Sequence, residues 1–223
     1  PIIKRASNHS CTGKERRNNL LVARCPIRQL GYSFDMPRML WLHGQFLPAR
    51  KYQETLLVPL LSSLADWEVT YLQSPRRCAD PPPDLLGQTF PDVQPHEMAE
   101  WINSQAKADG SKEYLGLSES LAFLQKYLQE QPRFDVIAGH SNGALLASIL
   151  ALYMERDDWQ LPKDKHPVGI ACFNGPNSYE TEVTLAPLVK NKTIQMPSLH
   201  VFGGPTDHTY EGSQKLARVH HPS

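Results

Sequence analysis

Residues 134–144 of this chain, FDVIAGHSNGA, decide the fold. A short apolar run of the kind that forms a buried strand leads into Gly-His-Ser-Asn-Gly, and a strongly apolar helical stretch follows at 142–156. This G-x-S-x-G pattern is typical of a strand that enters a helix through a turn so sharp that its central residue is strained. Gly139 and Gly143 lack a Cβ atom, so the strand and the helix can approach each other closely there.

Ser141 stands at the centre of this turn and is the candidate nucleophile. The amino end of the following helix would stabilise negative charge that forms beside its hydroxyl. The alternative is an ordinary strand–turn–helix in which Ser141 only caps the helix. The strand before it and the helix after it favour the nucleophile, because the motif requires both.

Apolar runs and helical stripes alternate along the rest of the chain. Strands are predicted at 38–42, 67–72, 134–138, 168–173 and 198–202, and helices at 52–64, 97–107, 113–129, 142–156 and 213–219. This alternation predicts an α/β fold whose mostly parallel sheet carries helices on both faces. Ligands in such folds bind beyond the carboxyl ends of the strands, so the residues after each strand are the candidates for the site.

Prolines are concentrated between residues 74 and 95. The six are Pro75, Pro81, Pro82, Pro83, Pro91 and Pro95. No regular element holds prolines at this density, so the stretch is predicted to be a long loop. Loops of this length often cover a site, and this one is expected to help shape the substrate pocket.

Two backbone N–H groups are the candidate donors to an oxyanion. One belongs to Asn142, the residue after the serine, and the other comes from the loop after the first strand. The sequence of that loop is HGQF at 43–46. Gln45 is the predicted second donor, with Phe46 next in order, while His43 is expected to bond the backbone of the turn.

Asp207 is the candidate acid. It follows the predicted strand 198–202 in a Gly-Gly-Pro-Thr-Asp turn, in the chain order Ser…Asp…His that the motif implies. Its role would be to hold a histidine in the right tautomer and to stabilise the histidine cation. The alternative is an aspartate whose side chain only stabilises the turn by hydrogen bonds to the nearby backbone.

The sequence does not identify the catalytic histidine. Three histidines follow the acid, at His208, His220 and His221. His208 adjoins Asp207, and neighbouring side chains on an extended segment point apart, while the other two fall at the end of the last predicted helix. We therefore expect the base, and the last strand of the sheet, to lie beyond Ser223. Without a base a serine is a weak nucleophile.

The composition is that of one globular domain. The 223 residues include 40% hydrophobic and 21% charged residues, and the formal net charge of zero gives no basis for nucleic-acid binding. The longest apolar run, 144–154, is too short to span a membrane.

The four cysteines show no paired spacing, so we expect free thiols in a reducing compartment, which favours a cytoplasmic protein. No G-x-G-x-x-G pattern follows the first strand, which disfavours a dinucleotide-binding oxidoreductase.

Residues 1–35 differ from the rest of the chain in charge. They carry seven basic and two acidic residues and show no apolar period. The domain is therefore predicted to span 36–223 and to follow a basic, disordered tail. An organelle transit peptide is the alternative interpretation, since such segments are rich in arginine and poor in acidic residues.

Residues 36–223 resemble the branch of the α/β-hydrolase superfamily known as the family of serine hydrolases. The matching stretches are LHG at 42–44, GLSESL at 116–121, the motif at 134–144, and MPSLHV at 196–201 followed by Asp207. The resemblance implies an α/β-hydrolase fold, a nucleophile at Ser141 and an acid at Asp207. It also implies that neither a metal nor a cofactor takes part.

The chain departs from the family pattern at two places. The family usually has Phe-Ser-Gln where this chain has His140-Ser141-Asn142. That difference should alter the wall beside the nucleophile more than the chemistry. The family's catalytic histidine lies in a His-x-Gly-Gly-His segment, which is not found among these 223 residues.

Two functions are consistent with the sequence. The first is a serine hydrolase that cleaves a small carboxylic ester or thioester through an acyl-enzyme on Ser141. The second is a non-catalytic binding protein of the same fold, which would hold a ligand or partner in the same cleft. A further strand and a Gly-Gly-His sequence after Ser223 would favour the enzyme.

Overall fold

A five-stranded parallel sheet organises the part of the chain that the structure describes. The computed structural model describes residues 36–56, 62–78, 90–106, 112–176, 185, 188 and 193–220. Within these ranges the strands are β1 (Arg38–Leu42), β2 (Glu68–Leu72), β3 (Asn103–Ala106), β4 (Lys112–Leu115), β5 (Val136–His140), β6 (Gly169–Phe173) and β7 (Ser198–Val201).

Five of these strands form the sheet in the order β2-β1-β5-β6-β7, and every neighbouring pair is parallel. They coincide with the five predicted strands to within two residues at each end. The strands β3 and β4 form a separate antiparallel pair. The prediction of an α/β fold with a mostly parallel sheet is therefore confirmed.

Helices cover both faces of the sheet. They are α1 (Ala49–Lys51), which continues into a π-helical turn at Tyr52–Leu56, α2 (Leu117–Glu130), α3 (Asn142–Met154) and α4 (Tyr210–His220). Side chains alternate along β1, so Leu40 and Leu42 pack in the cluster that holds α2, α3 and α4. Met39 and Trp41 point the other way and pack with Tyr52.

The helix α3 lies at the centre of the larger cluster. All but one of its residues are buried, because it is apolar around its whole circumference. Its buried side chains share this cluster with Ile137 of β5 and Ile170 of β6 on the sheet side, and with Leu124 of α2 and Leu216 of α4. The first residue of this central helix directly follows Ser141.

The predicted helix at 97–107 is wrong. Ala99 forms an isolated antiparallel bridge with Arg77, and the segment then enters the strand β3. Two long-range hydrogen bonds fix its middle: the Trp101 ring N–H donates to the His43 carbonyl at 3.1 Å, and the Ser120 hydroxyl donates to the Trp101 carbonyl at 2.6 Å. These tertiary contacts outweigh a local apolar spacing that suits a helix.

Other predicted elements differ in extent. The helix predicted at 113–129 begins only at Leu117, because β4 precedes it. In the stretch 52–64 the π-helical turn and a 3-10 turn at Ser62–Leu64 replace one continuous helix, and residues 57–61 lie outside the described residues. The predicted tail at 1–35 and the middle half of the proline-rich loop, 79–89, lie outside them too. Among the described residues, no helix combines the length and the hydropathy needed to cross a membrane.

Candidate active site

Ser141 sits in a strained turn between β5 and α3. Its backbone angles are φ 52° and ψ −117°, in a region that residues with a Cβ atom rarely adopt. The Ser141 N–H donates to the carbonyls of Phe173 at 3.0 Å and of Asn174 at 2.9 Å, just past the end of β6. The neighbouring strand therefore holds the strained residue in place. We call residues 139–143 the serine corner.

Two glycines allow this corner to form. A Cβ atom on Gly139 would overlap the backbone of Gly143 and lie 2.7 Å from the Ala144 nitrogen. A Cβ atom on Gly143 would overlap the Leu42 carbonyl and lie 2.6 Å from the His43 carbonyl oxygen. The strand, the helix and the end of β1 are therefore in backbone contact around Ser141, as the motif predicts.

The turn at 43–46, which we call the oxyanion turn after its predicted role, has one amide without an acceptor among the described residues. The Gly44 N–H donates to the Tyr52 hydroxyl at 2.6 Å, and the Phe46 N–H donates to the Ala99 carbonyl at 3.0 Å. Within the described ranges the Gln45 N–H has no acceptor. The amide of Phe46, the alternative donor, is therefore occupied, while the amide of Gln45 has no acceptor among the described residues.

The backbone N–H of Asn142 has no acceptor among the described residues, whereas its side chain is hydrogen-bonded. As the first residue of α3 its N–H has no partner within the helix, and no other described residue accepts from it. Its side-chain oxygen accepts the Ile102 N–H at 3.2 Å in a buried setting. Both amides that the sequence predicts as oxyanion donors are thus available, and both follow the carboxyl ends of neighbouring strands.

His43 fixes the direction of the Gln45 amide. Its Nδ1 lies 2.6 Å from the Gly44 carbonyl, and its Nε2 accepts the Ser74 N–H at 3.0 Å, so the proton sits on Nδ1. In a trans peptide the C=O and the N–H point in opposite directions. By holding the Gly44 carbonyl, His43 therefore also orients the N–H of Gln45. The prediction that His43 bonds the backbone of the turn is confirmed.

His43 should make the stability of the protein depend on pH. Its side chain is fully buried, and this burial lowers its pKa from 6.5 to about 4. Between these values the unfolded chain binds a proton and the folded chain does not. The free energy of unfolding therefore contains a contribution on the order of 3 kcal/mol that is complete above pH 6.5 and is lost as the pH falls to about 4.

Urea unfolding at a series of pH values measures this contribution. His43→Asn, which cannot titrate in this range, should be less stable at neutral pH but should lose less stability on acidification. An equal loss in the variant and in the original protein would contradict the assignment to His43.

Asp207 lies at the same edge of the sheet as Ser141. It follows β7, and its Oδ1 accepts both the N–H and the hydroxyl of Thr209 at 2.8 Å each. These two hydrogen bonds are the main reason why the pKa of Asp207 is lowered, so the carboxylate is charged at neutral pH. The side chain is 25% exposed, and its charge influences His140 beside Ser141.

The described histidines after Asp207 do not complete a triad. The Nδ1 of His208 lies 3.7 Å from the Asp207 carboxylate, but its side chain is 92% exposed. His220 is buried at the end of α4, where its Nε2 lies 3.1 Å from the Ser148 hydroxyl, two turns into α3. His221 lies outside the described residues.

The sequence alone does not predict that Tyr52 and His140 meet beside the candidate site. The Tyr52 hydroxyl, which receives the Gly44 N–H, also lies 3.0 Å from the His140 Nδ1. No local spacing relates two residues that are 88 positions apart. The one available signal was the departure of His140 from the phenylalanine usual at this place in the resembling family.

A cavity of about 530 Å³ lies beside the oxyanion turn. Its walls come from the start of α1, the residues after β2 and the segment 96–99, and they mix apolar groups such as Met98 with charged ones such as Arg77. The described start of the proline-rich loop, with Ser74, Pro75 and Arg77, therefore contributes to this cavity, whose lining includes no residue of the serine corner. Among the described residues, no group of three or more His, Cys, Asp or Glu side chains could hold a metal ion.

Residues 33–223 match the serine hydrolase (FSH1) family. Among curated proteins the chain is similar to esterase C25G4.2 of Caenorhabditis elegans, with 28% identity over 105 residues and 45% of each chain covered. It is also similar to esterase OVCA2 of Homo sapiens, with 27% identity over 146 residues and 61% of each covered. The chain thus spans about half the length of the curated relatives it matches.

Two solved plant proteins resemble the chain at low identity. Acyl-protein thioesterase 2 of Zea mays has 16% identity and a TM-score of 0.49, with 82% of this chain and 78% of that chain covered. SOBER1 of Arabidopsis thaliana has 15% identity and a TM-score of 0.44, with 82% of this chain and 98% of that chain covered.

Proposed function

The chain belongs to the FSH1 serine hydrolase family, and from this membership we propose that it cleaves carboxylic esters or thioesters through an acyl-enzyme on Ser141. One observation carries the proposal. Ser141 lies in a strained corner, and the two amides left without an acceptor by the described residues, those of Gln45 and Asn142, follow the ends of β1 and β5 beside it. This arrangement suits a nucleophile elbow with an oxyanion hole.

The proposed reaction begins with attack of the Ser141 hydroxyl oxygen on the acyl carbonyl carbon. The carbonyl oxygen becomes an oxyanion and receives the N–H groups of Gln45 and Asn142. The C–O or C–S bond to the leaving group then breaks and leaves the acyl group on Ser141. Water attacks this ester in the same way and releases the acid.

The proton is carried by a histidine that Asp207 orients and whose cation the carboxylate stabilises. The ionised Asp207, with one oxygen fixed by Thr209, suits this role. We assign the base to none of the described histidines. We further propose that the substrate is a small acyl compound and that the protein works in the cytoplasm, where its buried Cys78 and Cys172 stay reduced.

Labelling with a fluorophosphonate probe tests the nucleophile, because such probes react with activated serines. A form of the protein that contains the histidine base should be labelled once, and Ser141→Ala should remove the label and lower ester hydrolysis by several orders of magnitude. Ser118→Ala, a change at an exposed serine of α2, should leave both unchanged.

A folded protein that contains the histidine base and is not labelled would contradict the proposal. It would favour the alternative function, a binding protein that uses the same cleft without turnover. Undiminished hydrolysis in Ser141→Ala would place the reaction elsewhere in the molecule.

A further inference from the structure

The hydroxyl of Tyr52 joins the oxyanion turn to the serine corner. It accepts the Gly44 N–H at 2.6 Å and lies 3.0 Å from the His140 Nδ1. Gly44 precedes the predicted oxyanion donor Gln45, and His140 directly precedes Ser141. One side chain therefore contacts both parts of the proposed site.

The positions of the protons in this bridge follow from its geometry. The Tyr52 oxygen receives the Gly44 proton, so the hydroxyl's own proton is directed to the second neighbour, the His140 Nδ1. Burial lowers the pKa of His140, against a smaller opposing effect of Asp207, so the imidazole is neutral and can accept. Burial also raises the pKa of Tyr52, which keeps its proton. The bridge runs from the Gly44 N–H through the Tyr52 O–H to the His140 Nδ1.

Close packing leaves the bridge little freedom. Tyr52 is 1% exposed, and its ring centroid lies 6.0 Å from that of Trp41 and 5.7 Å from that of His140. A Cβ atom on Gly44 would come within 2.7 Å of the Tyr52 hydroxyl and 3.0 Å of the His140 Nδ1. The absence of a side chain at position 44 is thus what allows the three groups to meet.

We propose that Tyr52 is a positioning residue that sets the distance between the oxyanion turn and Ser141. His43 orients the Gly44 carbonyl, and Tyr52 holds the N–H of the same residue, so both sides of Gly44 are fixed. The catalytic consequence of this inference rests on the proposed function, whereas the bridge itself rests on the contacts. An oxyanion donor must lie where the developing charge appears, so a loosened turn should slow acyl transfer.

The kinetics of ester hydrolysis test the role of the bridge. Tyr52→Phe should lower kcat about tenfold and change KM less than about twofold, because the turn acts on the transition state. This loss is smaller than the roughly 100- to 1000-fold that follows removal of a whole oxyanion donor. Tyr127→Phe removes a tyrosine hydroxyl from α2, outside the site, and should leave both constants unchanged.

Variants of His140 separate a hydrogen-bond role from a packing role. His140→Phe removes the acceptor and should slow the reaction as Tyr52→Phe does. His140→Asn places an amide oxygen near the Nδ1 position and should recover most of the rate that His140→Phe loses. The double variant Tyr52→Phe/His140→Phe should be no more than about twofold slower than either single variant, because both remove the same bridge.

The rate at which the Gly44 amide proton exchanges with solvent, measured by NMR, tests whether the bridge exists independently of any enzymatic activity. Exchange should be faster in Tyr52→Phe than in Tyr127→Phe. Equal exchange in these variants, or a Tyr52→Phe variant with unchanged kcat, would overturn the inference. If the original protein neither hydrolyses esters nor takes the fluorophosphonate label, the proposed function has failed, and the exchange rates alone then decide whether the bridge exists.

Discussion

Gly143→Ala should leave little or no folded protein. The added methyl carbon would overlap the Leu42 carbonyl and lie 2.6 Å from the His43 carbonyl oxygen, and both are backbone atoms at the end of β1. A flexible side chain could move aside, but the sheet and α3 would have to separate to make room. We expect a loss of at least about 4 kcal/mol, a large part of the roughly 5–15 kcal/mol that stabilises a typical domain.

A second glycine gives the matched control for this substitution. Gly204 is exposed, and a Cβ atom there would meet nothing within 4 Å. Gly204→Ala should change the free energy of unfolding by less than about 1 kcal/mol, because it only restricts the unfolded chain. Urea unfolding of both variants measures the difference. Similar values for the two would show that the corner tolerates a side chain.

Asp207→Asn should lower the rate of ester hydrolysis by about 10³- to 10⁴-fold. The change removes the charge that would stabilise a histidine cation, yet the amide oxygen can still accept the two hydrogen bonds from Thr209. The fold should therefore survive, and the effect should fall on kcat. Circular dichroism and unfolding curves establish that the variant is folded before its kinetics are compared.

Thr209→Val is the control variant for Asp207→Asn. It removes one of the two hydrogen bonds to the Asp207 Oδ1 and keeps the other, which comes from the backbone. We expect a loss of only about two- to tenfold, since the carboxylate keeps its charge and most of its orientation. If Asp207→Asn cost no more than Thr209→Val, Asp207 would be a turn residue rather than the acid of a triad.

The parts of the fold that were predicted correctly are those in which local signals agree. Around Ser141, a buried apolar run, two glycines and an apolar helical stretch all indicate the same strand–turn–helix, and the structure has it. The strands β1, β6 and β7 were predicted as short apolar runs bounded by turn residues, and β2 was predicted from its alternation of apolar and polar residues.

The stretch after the proline-rich loop shows where local signals conflict. The apolar side chains of Met98, Trp101 and Ile102 have helical spacing, yet they are buried in two different clusters. The Asp109-Gly110 pair further on is a hairpin signal that favours the antiparallel β3 and β4 over a helix. Spacing alone does not decide between the two structures in so short a segment.

The residues that hold the candidate site in place were harder to predict than the residues proposed to take part in the reaction. Ser141, Asp207, Gln45 and Asn142 could be proposed because each follows a predicted strand. The contact between Tyr52 and His140 depends instead on how the turn after α1 packs on the sheet, and no pattern in either segment encodes that distance.

The serine corner also has a consequence for the order of events in folding. The Arg38 N–H, which begins β1, donates to the Asp135 carboxylate across 97 residues of chain, and the Ser141 N–H needs the carbonyls that follow β6. Closing such long loops costs entropy that is recovered only when the strands pair. We therefore expect the strained backbone of Ser141 to form late, after β1, β5 and β6 have paired, so that a chain in which these strands have not yet paired would contain the motif without the corner.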